Sequence, residues 1–393
     1  MDLITGKQLL ENGSKGFRSG YSKVYGQIAM RLDDSFYLLT KENIILSEIN
    51  KDTDIDVCDI NTGDLGVLFN TRKDINAFVF ACTETSVKVS EEMNILRSSL
   101  DDFSEIVGPS IQVINSFTID NCLAAIRSSN GCLVKGSGIV AVGSSVEDAV
   151  ACAQIIEKCC LAEFHQELLG GVKHIPDSDA ALCRKFYLDR YKSINDESFV
   201  NFVGFDETEF KLRNKLIDFG KQLCRDNLVF GTWGNISIRL NDKELLITPS
   251  GMDYFSIKPE DIVKVNYIDM SRNDGQRTPS RNLPLHAKMY RELTGCDAIV
   301  HTHSENLSCF AAAHAGFTIG VPELKDLIGD VLVTEYALEH EDDFNSNAIE
   351  VLKKTHAAIL ANHGAIFYGP STELVLAIAG AVEARAAALL GRN

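Results

Sequence analysis

Three histidines at the ends of two apolar segments are the residues of this sequence best suited to chemistry. His301 and His303 close an apolar run that begins at Ile299. Alternate side chains of an extended strand point to one face, so both imidazoles can reach the same ion. His363 closes a second apolar run and is followed by a glycine. Three neutral imidazoles with an open position typically hold a catalytic divalent metal, so we predict a metal site. Zinc is the first expectation, and manganese, cobalt or iron are also compatible.

Small and hydroxyl-bearing residues cluster at two turns upstream of these histidines. Gly234 and Asn235 open one predicted strand, whereas Thr248, Ser250 and Gly251 follow the next. Backbone N–H groups and hydroxyls at such turns can bind a compact anion such as phosphate. The same residue types are also common in turns that bind nothing.

A third polar stretch leads into a predicted helix that runs through Tyr290. It contains Ser280 and Arg281. An arginine can bind phosphate or carboxylate through two parallel hydrogen bonds. The alternative is an arginine that simply faces solvent.

Composition excludes several classes of partner. The chain has 393 residues, a formal net charge of -17 and an apolar fraction of 45%. This charge argues against nonspecific binding to nucleic acid or to an anionic membrane, because both would repel the protein. No apolar run reaches the ~18 residues of a membrane span, and the first residues do not resemble a signal peptide. Eleven cysteines without Cys-x-x-Cys pairs indicate reduced thiols, so a cytoplasmic location is expected.

The chain contains an internal repeat and is too long for one average domain. Residues 25–40 align without gaps with residues 233–248, residues 76–83 match 297–304, and residues 132–140 match 358–366. Each first segment reads as a hairpin of two alternating strands, and each copy ends in a long alanine-rich helix. We therefore predict two copies of one fold, residues 1–195 and residues 196–393.

The two copies differ in their chemistry. At the positions of the three histidines, the first half carries Phe80, Cys82 and Ser137. Phenylalanine cannot bind a metal, so the first half is predicted to be a degenerate, structural copy without metal ligands.

The join between the halves is expected near Ser193–Ser198, a polar stretch before the next helix. That helix is predicted to begin near Asp206. Its apolar face would comprise Phe210, Leu212, Leu216, Ile217, Phe219 and Leu223. The other histidines of the second half, His286, His314, His340 and His356, are expected on helices or at the surface.

Five motifs of the second half, taken in order, resemble the class II aldolase/adducin family. They are Gly-Asn-Ile-Ser at 234–237, Thr-Pro-Ser-Gly at 248–251, Pro-Ser-x-x-Leu-Pro-Leu-His at 279–286, His-Thr-His-Ser at 301–304 and Asn-His-Gly at 362–364. The resemblance covers nearly all of residues 206–391 and extends more weakly, through the repeat, to the first half. It implies a duplicated α/β fold, each copy a three-layer α/β/α sandwich around a mostly antiparallel sheet.

The resemblance also implies an activity and a set of site residues. His301, His303 and His363 would bind the metal, and Asn235, Thr248, Gly251 and Ser280 would line a phosphate pocket. The reaction would be lyase cleavage of a carbon–carbon bond in a small phosphorylated sugar or sugar acid, through a metal-stabilised enediolate. Relatives usually form four-fold tetramers, so two duplicated chains would form a homo-oligomer equivalent to four single domains.

One position departs from the family pattern. The family usually has a catalytic glutamate where this chain has Asn282, which cannot exchange a proton near neutral pH. A general base is commonly worth ~100- to 10,000-fold in rate. Three explanations stay open. The first is that Glu323 or Asp326 acts instead. The second is a decarboxylase or epimerase of the same family, and the third is a catalytically silent binding or scaffold protein.

Overall fold

A computed structural model describes residues 1–18, 23–193, 204–229, 232–272 and 277–392. These residues form two compact units, Met1–Arg190 and Tyr191–Asn393. Most of the expected join, residues 194–198, lies outside the described residues.

The first unit contains nine strands and seven helices among its described residues. The strands are β1 (Tyr25–Arg31), β2 (Phe36–Thr40), β3 (Ile44–Ile45), β4 (Ile55–Asp59), β5 (Ala77–Cys82), β6 (Ile95–Arg97), β7 (Ser110–Ile114), β8 (Gly131–Val134) and β9 (Gly138–Gly143). The helices are α1 (Leu3–Ser14), α2 (Gly63–Thr71), α3 (Glu84–Glu92), α4 (Ile119–Ala125), α5 (Val146–Phe164), α6 (Gln166–Leu169) and α7 (Asp177–Ser193). A π-helical turn at Phe103–Val107 and two short 3-10 helices, Lys15–Arg18 and Leu46–Glu48, complete it.

The described part of the second unit has seven strands and six helices. The strands are β10 (Asn235–Arg239), β11 (Glu244–Ile247), β12 (Val263–Asn266), β13 (Ala298–Thr302), β14 (Leu332–Val333), β15 (Ala357–Leu360) and β16 (Gly364–Gly369). The helices are α8 (Glu207–Arg225), α9 (Leu283–Glu292), α10 (Glu305–Ala313), α11 (Pro322–Ile328), α12 (Asp342–Leu352) and α13 (Thr372–Leu389), with a 3-10 turn at Pro259–Asp261.

Both units have the same sheet topology, as the repeat predicts. The second sheet has the strand order β12-β11-β10-β13-β16-β15-β14, and the first has the order β4-β2-β1-β5-β9-β8-β7-β6, with β3 paired to β1. Neighbouring strands are antiparallel except for β7–β8 and β14–β15. The predicted hairpins are present as β1–β2 and β10–β11.

Helices cover both faces of each sheet, which confirms the predicted three-layer α/β/α class. In the second unit, α9 and α12 pack on one face, and α8, α10 and α13 pack on the other. The core beneath α9 and α12 consists of apolar side chains from strands and helices alike, among them Leu245, Ile247, Leu285, Met289, Ile299, Ile349 and Ile366. In the first unit, α2 and α4 cover one face, and α1, α3 and α5 cover the other.

The apolar face predicted for α8 is partly wrong. The helix begins after its N-cap Asp206 as expected, and Leu216, Ile217 and Leu223 are buried. Phe210, however, is 48% exposed. The side chains of Glu209 and Arg213 are buried in its place, because they neutralise each other in an ion pair 2.6 Å long. A buried charge that has a partner is tolerated where an isolated one is not, so hydrophobic periodicity alone misassigned this face.

No helix among the described residues is long and apolar enough to cross a membrane.

Candidate functional site

The three predicted histidines converge at one end of the second sheet. His301 lies within β13, where it pairs with Asn235 of β10 on one side and with Ile366 of β16 on the other. His303 follows the strand directly, and all three imidazoles are buried. One ligand atom from each ring lies within 4.8 Å of the others. Folding thus brings the predicted metal residues together from two segments about 60 residues apart.

A tight turn presents the third histidine. β15 and β16 are joined through Ala361, Asn362 and His363, and the N–H of His363 donates to the Leu360 carbonyl at 3.0 Å. Asn362 has a φ of 57°, a left-handed conformation that asparagine adopts more readily than most residues. A Cβ on the following Gly364 would lie 2.3 Å from the Thr302 carbonyl oxygen, so only glycine lets β16 approach β13 here.

The hydrogen bonds of His301 define its tautomer, and its burial defines its ionisation. Its Nδ1 lies 2.9 Å from the Ala365 carbonyl oxygen, and its Nε2 lies 2.9 Å from Nε2 of His303. Because a carbonyl only accepts, Nδ1 carries the proton and the Nε2 lone pair faces the cluster. Burial, and then the neighbouring His303 and His363 imidazoles, hold the pKa of His301 well below its usual range. His301 is therefore neutral, the state that a metal ligand requires.

Aromatic residues flank the cluster. The ring centroids of Trp233 and His303 lie 5.7 Å apart, and those of Phe344 and His363 lie 5.2 Å apart in an edge-to-face arrangement. His301 and His363 stack at 4.8 Å with an interplanar angle of 10°. The cluster thus presents its nitrogen atoms beside two aromatic side chains.

This donor set fits a divalent transition metal. Three neutral imidazoles are the ligands of many catalytic zinc sites. The hydrogen bond from His301 Nδ1 to the Ala365 carbonyl orients Nε2 of His301 toward the cluster. The outer hydrogen bonds of metal-bound histidines generally have this effect. Within the described residues, these histidines are the one group of three metal-ligating side chains found together.

The predicted phosphate-binding turns are adjacent. The Ser250 N–H donates to the Thr278 carbonyl at 2.9 Å, and the Ser280 N–H donates to the Thr248 carbonyl at 3.1 Å. Thr248 also accepts the Ile236 N–H through its hydroxyl at 3.2 Å. The two turns form one polar surface beside Asn235 and the beginning of α9.

Two glycines of this region have different functions. Gly251 has a φ of +72° and open space where a Cβ would be, so it leaves the turn accessible. Gly234 has a φ of +79°, and a Cβ there would lie 2.7 Å from the His301 carbonyl oxygen and 2.5 Å from Val229. Gly234 therefore permits the approach of β10 to β13, and its predicted contact with a bound substrate stays a prediction.

Asn282 and Arg281 lie at the N-terminus of α9. Asn282 is the N-cap residue and is buried, and its side-chain oxygen has no hydrogen-bond partner among the described residues. Arg281 pairs with Glu339 at 3.2 Å, and this carboxylate is itself largely buried. The structure thus identifies Glu339, which the sequence did not single out, as the partner of Arg281.

The two carboxylates proposed as substitutes for the missing glutamate are elsewhere on the surface. Glu323 and Asp326 are exposed residues of the short helix α11. Neither belongs to the histidine cluster.

His286 is helical, as expected, but it is fully buried rather than at the surface. Its Nδ1 lies 2.7 Å from the Ser237 hydroxyl, which in turn lies 2.9 Å from the Tyr290 hydroxyl. Burial lowers the pKa of His286 to about 3, so this imidazole is neutral.

Glu383 of α13 is a buried acid beside the site that sequence reasoning missed. It accepts hydrogen bonds from Ser304 and from the first turn of α10, directly after His303. A signal was present: Glu383 is the one acid of the alanine-rich helix α13 beyond its first turn, and Glu157 occupies the equivalent position of α5 in the first repeat.

The first unit retains the backbone of the site without its ligands. Asn43 and Gly136 are left-handed, with φ of 54° and 64°, as are their repeat equivalents Gly251 and Asn362. Phe80, Cys82 and Ser137 occupy the histidine positions and are half-buried.

Comparison with known proteins gives the family. Residues 8–164 and residues 214–390 each match the family described as Class II Aldolase and Adducin N-terminal domain. The chain is 32% identical over 178 residues to the 5-deoxy-D-ribulose 1-phosphate aldolase of Bacillus thuringiensis serovar kurstaki, covering 44% of this chain and 81% of that protein. It is 30% identical over 182 residues to the L-fuculose phosphate aldolase of Haemophilus influenzae, covering 44% and 79%.

Among solved structures, an L-fuculose 1-phosphate aldolase is similar, with 30% identity and a TM-score of 0.43 over 45% of this chain and 83% of that chain. Both halves match one family, and together the matches span most of the sequence. The protein therefore belongs to the class II aldolase and adducin family, as a tandem duplication of its domain.

Proposed function

We propose that the second half of the chain is a divalent-metal-dependent lyase that cleaves a carbon–carbon bond of a small phosphorylated sugar or sugar acid. The observation that carries this proposal is the convergence of three buried histidines, one of them held neutral by its surroundings. Two relatives are named as aldolases of 5-deoxy-D-ribulose 1-phosphate and of L-fuculose phosphate, which supports a phosphorylated ketose as substrate.

His301, His303 and His363 would hold the metal ion. When bound, the ion would act as a Lewis acid that stabilises negative charge on substrate oxygens as the bond breaks. Zinc is the first expectation for three imidazoles, and manganese, cobalt or iron would also be accepted. The buried aromatic surroundings would keep water away from the reacting atoms.

The polar turns beside α9 would bind the phosphate. Thr248, Ser250, Gly251 and Ser280 provide hydroxyl groups and accessible backbone at the helix N-terminus, whose dipole favours an anion. Such local donors are needed because the net charge of the chain, -17, repels anions at long range. Phosphate binding away from the reacting bond would hold the substrate in register.

Proton transfer is the least conventional part of this site. The Asn282 amide cannot act as a base, but its buried oxygen can accept a hydrogen bond from a substrate hydroxyl. Glu339 is a candidate base, since it is a largely buried carboxylate paired with Arg281, the residue that precedes Asn282. Glu323 and Asp326 remain the candidates that the sequence suggested.

A decarboxylase is the second candidate function, and Asn282 favours it. Loss of carbon dioxide creates the negative charge at the reacting carbon without prior proton removal, so no general base is needed. Arg281 could then bind the carboxylate of a sugar acid. An epimerase, or a catalytically silent binding homologue, would also account for a missing base.

Two further expectations belong to this proposal. We expect a homo-oligomer in which two duplicated chains replace four single domains, and a cytoplasmic location. Analytical ultracentrifugation of the purified protein would measure the first, and fractionation of the source cells the second.

Metal content is the first experiment. Elemental analysis of the purified protein should find about one divalent ion per chain, lost in His301→Ala and retained in His356→Ala. The His356 control removes a half-buried histidine that lies outside the cluster. Equal metal content in His301→Ala and the wild type would refute the proposed site.

Turnover is the second experiment. Phosphorylated ketoses and sugar acids would be screened for release of aldehyde or of carbon dioxide. Aldehyde release by the wild type would support the lyase, whereas carbon dioxide release would identify the decarboxylase. If the metal-loaded wild type is inactive, Asn282→Glu should gain activity, because a general base typically contributes ~100- to 10,000-fold. Inactivity of both proteins toward all substrates would favour the silent homologue.

A further inference from the structure

Helix α10 connects the two segments that carry the histidines. It begins two residues after His303, and near its other end the Ala311 carbonyl accepts the N–H of Asn362 at 3.0 Å. His314, which caps this end, lies with its Nε2 2.6 Å from the side-chain oxygen of Asn362. Asn362 directly precedes His363. One end of α10 therefore lies next to His303 in the chain, and the other end bonds to the residue before His363.

Glu383 fixes the first turn of this helix. One carboxylate oxygen accepts the Ser304 hydroxyl at 2.7 Å and the Leu307 N–H at 3.1 Å. The other accepts the backbone N–H of Asn306 at 2.9 Å and its side-chain amide at 2.8 Å. The first backbone N–H groups of a helix have no partner within the helix, so a carboxylate placed there is bound strongly. Glu383 is 5% exposed, so water competes little for these bonds.

The first repeat closes the equivalent helix differently. There Thr83 caps α3 with its own hydroxyl, which accepts the Ser86 N–H at 3.0 Å as part of a capping box. Glu157 accepts a hydrogen bond from the Thr83 hydroxyl at 2.6 Å. The fold can therefore begin this helix with an ordinary threonine cap.

In the half that carries the histidines, Ser304 provides no side-chain cap and donates to Glu383 instead. In the first repeat, Glu157 contacts the helix through the cap hydroxyl, and the first-turn N–H of Ser86 bonds to Thr83 itself. Glu383 instead accepts two first-turn backbone N–H groups of α10 directly and so fastens that turn to α13, which packs against β13 and β16, the strands beside the histidines.

We infer that Glu383 is a positioning residue for the metal site. It holds His303 through Ser304, and through α10 and Asn362 it holds His363, so that both face the Nε2 atom of His301. This inference rests on the proposed metal function of the three histidines. Loss of an outer contact that orients metal ligands typically lowers metal affinity by ~10- to 100-fold.

Cobalt binding tests the inference. Co²⁺ would be titrated into the metal-free full-length protein, and its visible absorption spectrum, which depends on ligand geometry, would be recorded with the affinity. Glu383→Gln keeps the side-chain shape but turns one acceptor into a donor that faces N–H groups. We expect it to weaken Co²⁺ binding ~10- to 100-fold and to change the spectrum.

Glu157→Gln is the matched control. It alters the equivalent acid of α5, which bonds to the equivalent helix in the half that carries Phe80, Cys82 and Ser137 at the histidine positions. We expect this variant to bind Co²⁺ with the affinity and the spectrum of the wild type. If the acid had the same purely structural function in both halves, Glu383→Gln and Glu157→Gln would instead change the Co²⁺ affinity and spectrum to the same extent.

A milder variant covers the case in which Glu383→Gln does not fold. Ser304→Ala removes one of the four hydrogen bonds, the one next to His303, and should weaken Co²⁺ binding by a smaller factor in the same direction. Wild-type affinity and spectrum in a folded Glu383→Gln, or in Ser304→Ala if the former does not fold, would overturn the inference. Absence of Co²⁺ binding by the wild type would instead refute the metal site itself, so the two failures are distinguishable.

Discussion

Replacing Gly234 by alanine should destabilise the second unit and disturb the metal site together. Gly234 has a φ of +79°, and an added Cβ would lie 2.5 Å from Val229 and 2.7 Å from the His301 carbonyl oxygen. The first contact involves a side chain that can move. The second involves the backbone of β13 at a proposed ligand, so relief of the clash requires β10 and β13 to separate.

The magnitude follows from two costs and one gain. A left-handed conformation costs a residue other than glycine about 1–2 kcal/mol, and overpacking costs about 1–3 kcal/mol. Lower entropy of the unfolded chain returns about 0.4–1 kcal/mol. The free energy of unfolding should therefore fall by about 1–5 kcal/mol, with about 3 kcal/mol at the middle of the range. With a urea dependence of about 2–3 kcal/mol per M, the unfolding midpoint moves down by roughly 1 M.

The single tryptophan of the chain makes the assay specific for the second unit. Trp233 lies beside the His303 ring, so its fluorescence reports both the unfolding of this unit and metal binding. Gly26→Ala is the matched control, since a Cβ there would lie 1.8 Å from the equivalent carbonyl oxygen, that of Phe80. It should destabilise the first unit and leave Co²⁺ affinity unchanged. A Gly234→Ala protein with the urea midpoint and Co²⁺ affinity of the wild type would refute the close-approach argument.

Three further predictions concern buried charges and protons. The pKa of His286 is lowered to about 3, so below pH ~6.5 the unfolded chain takes up a proton that the folded chain does not. As the pH falls below ~6.5, this group should lower the unfolding free energy of the metal-free protein by about 1.4 kcal/mol per pH unit. In urea titrations, His286→Gln should make the unfolding free energy depend less on pH. Arg213→Met leaves Glu209 buried with Lys264 as its remaining partner, so it should cost about 3 kcal/mol by Trp233 fluorescence; Glu209→Gln combined with it should restore part of the loss. If Arg281 binds the substrate, Arg281→Ala should raise KM about tenfold or more with a smaller change in kcat, whereas an unchanged KM would contradict a substrate contact.

The amino-acid sequence was enough to predict the duplication and to single out the three histidines as candidate metal ligands. Repeats and motifs are properties of contiguous sequence, so aligning the two halves predicted that their sheets would have matching strand orders. The period of two in a strand placed His301 and His303 on one face, because strand geometry is local. The polar turns around Thr248 and Ser280 were identified in the same way, from residue types that favour turns.

The contacts that surround those residues join positions far apart in the sequence, and only the folded chain shows them. Glu383 bonds to Ser304 across 79 positions of sequence, and Arg281 pairs with Glu339 across 339 − 281 = 58 positions. No local period encodes such contacts, because they depend on how helices pack across the sheet. The same limit explains Arg213 and His286: periodicity assigns polar side chains to solvent, whereas folding can bury them once a partner neutralises a charge or a proton is released.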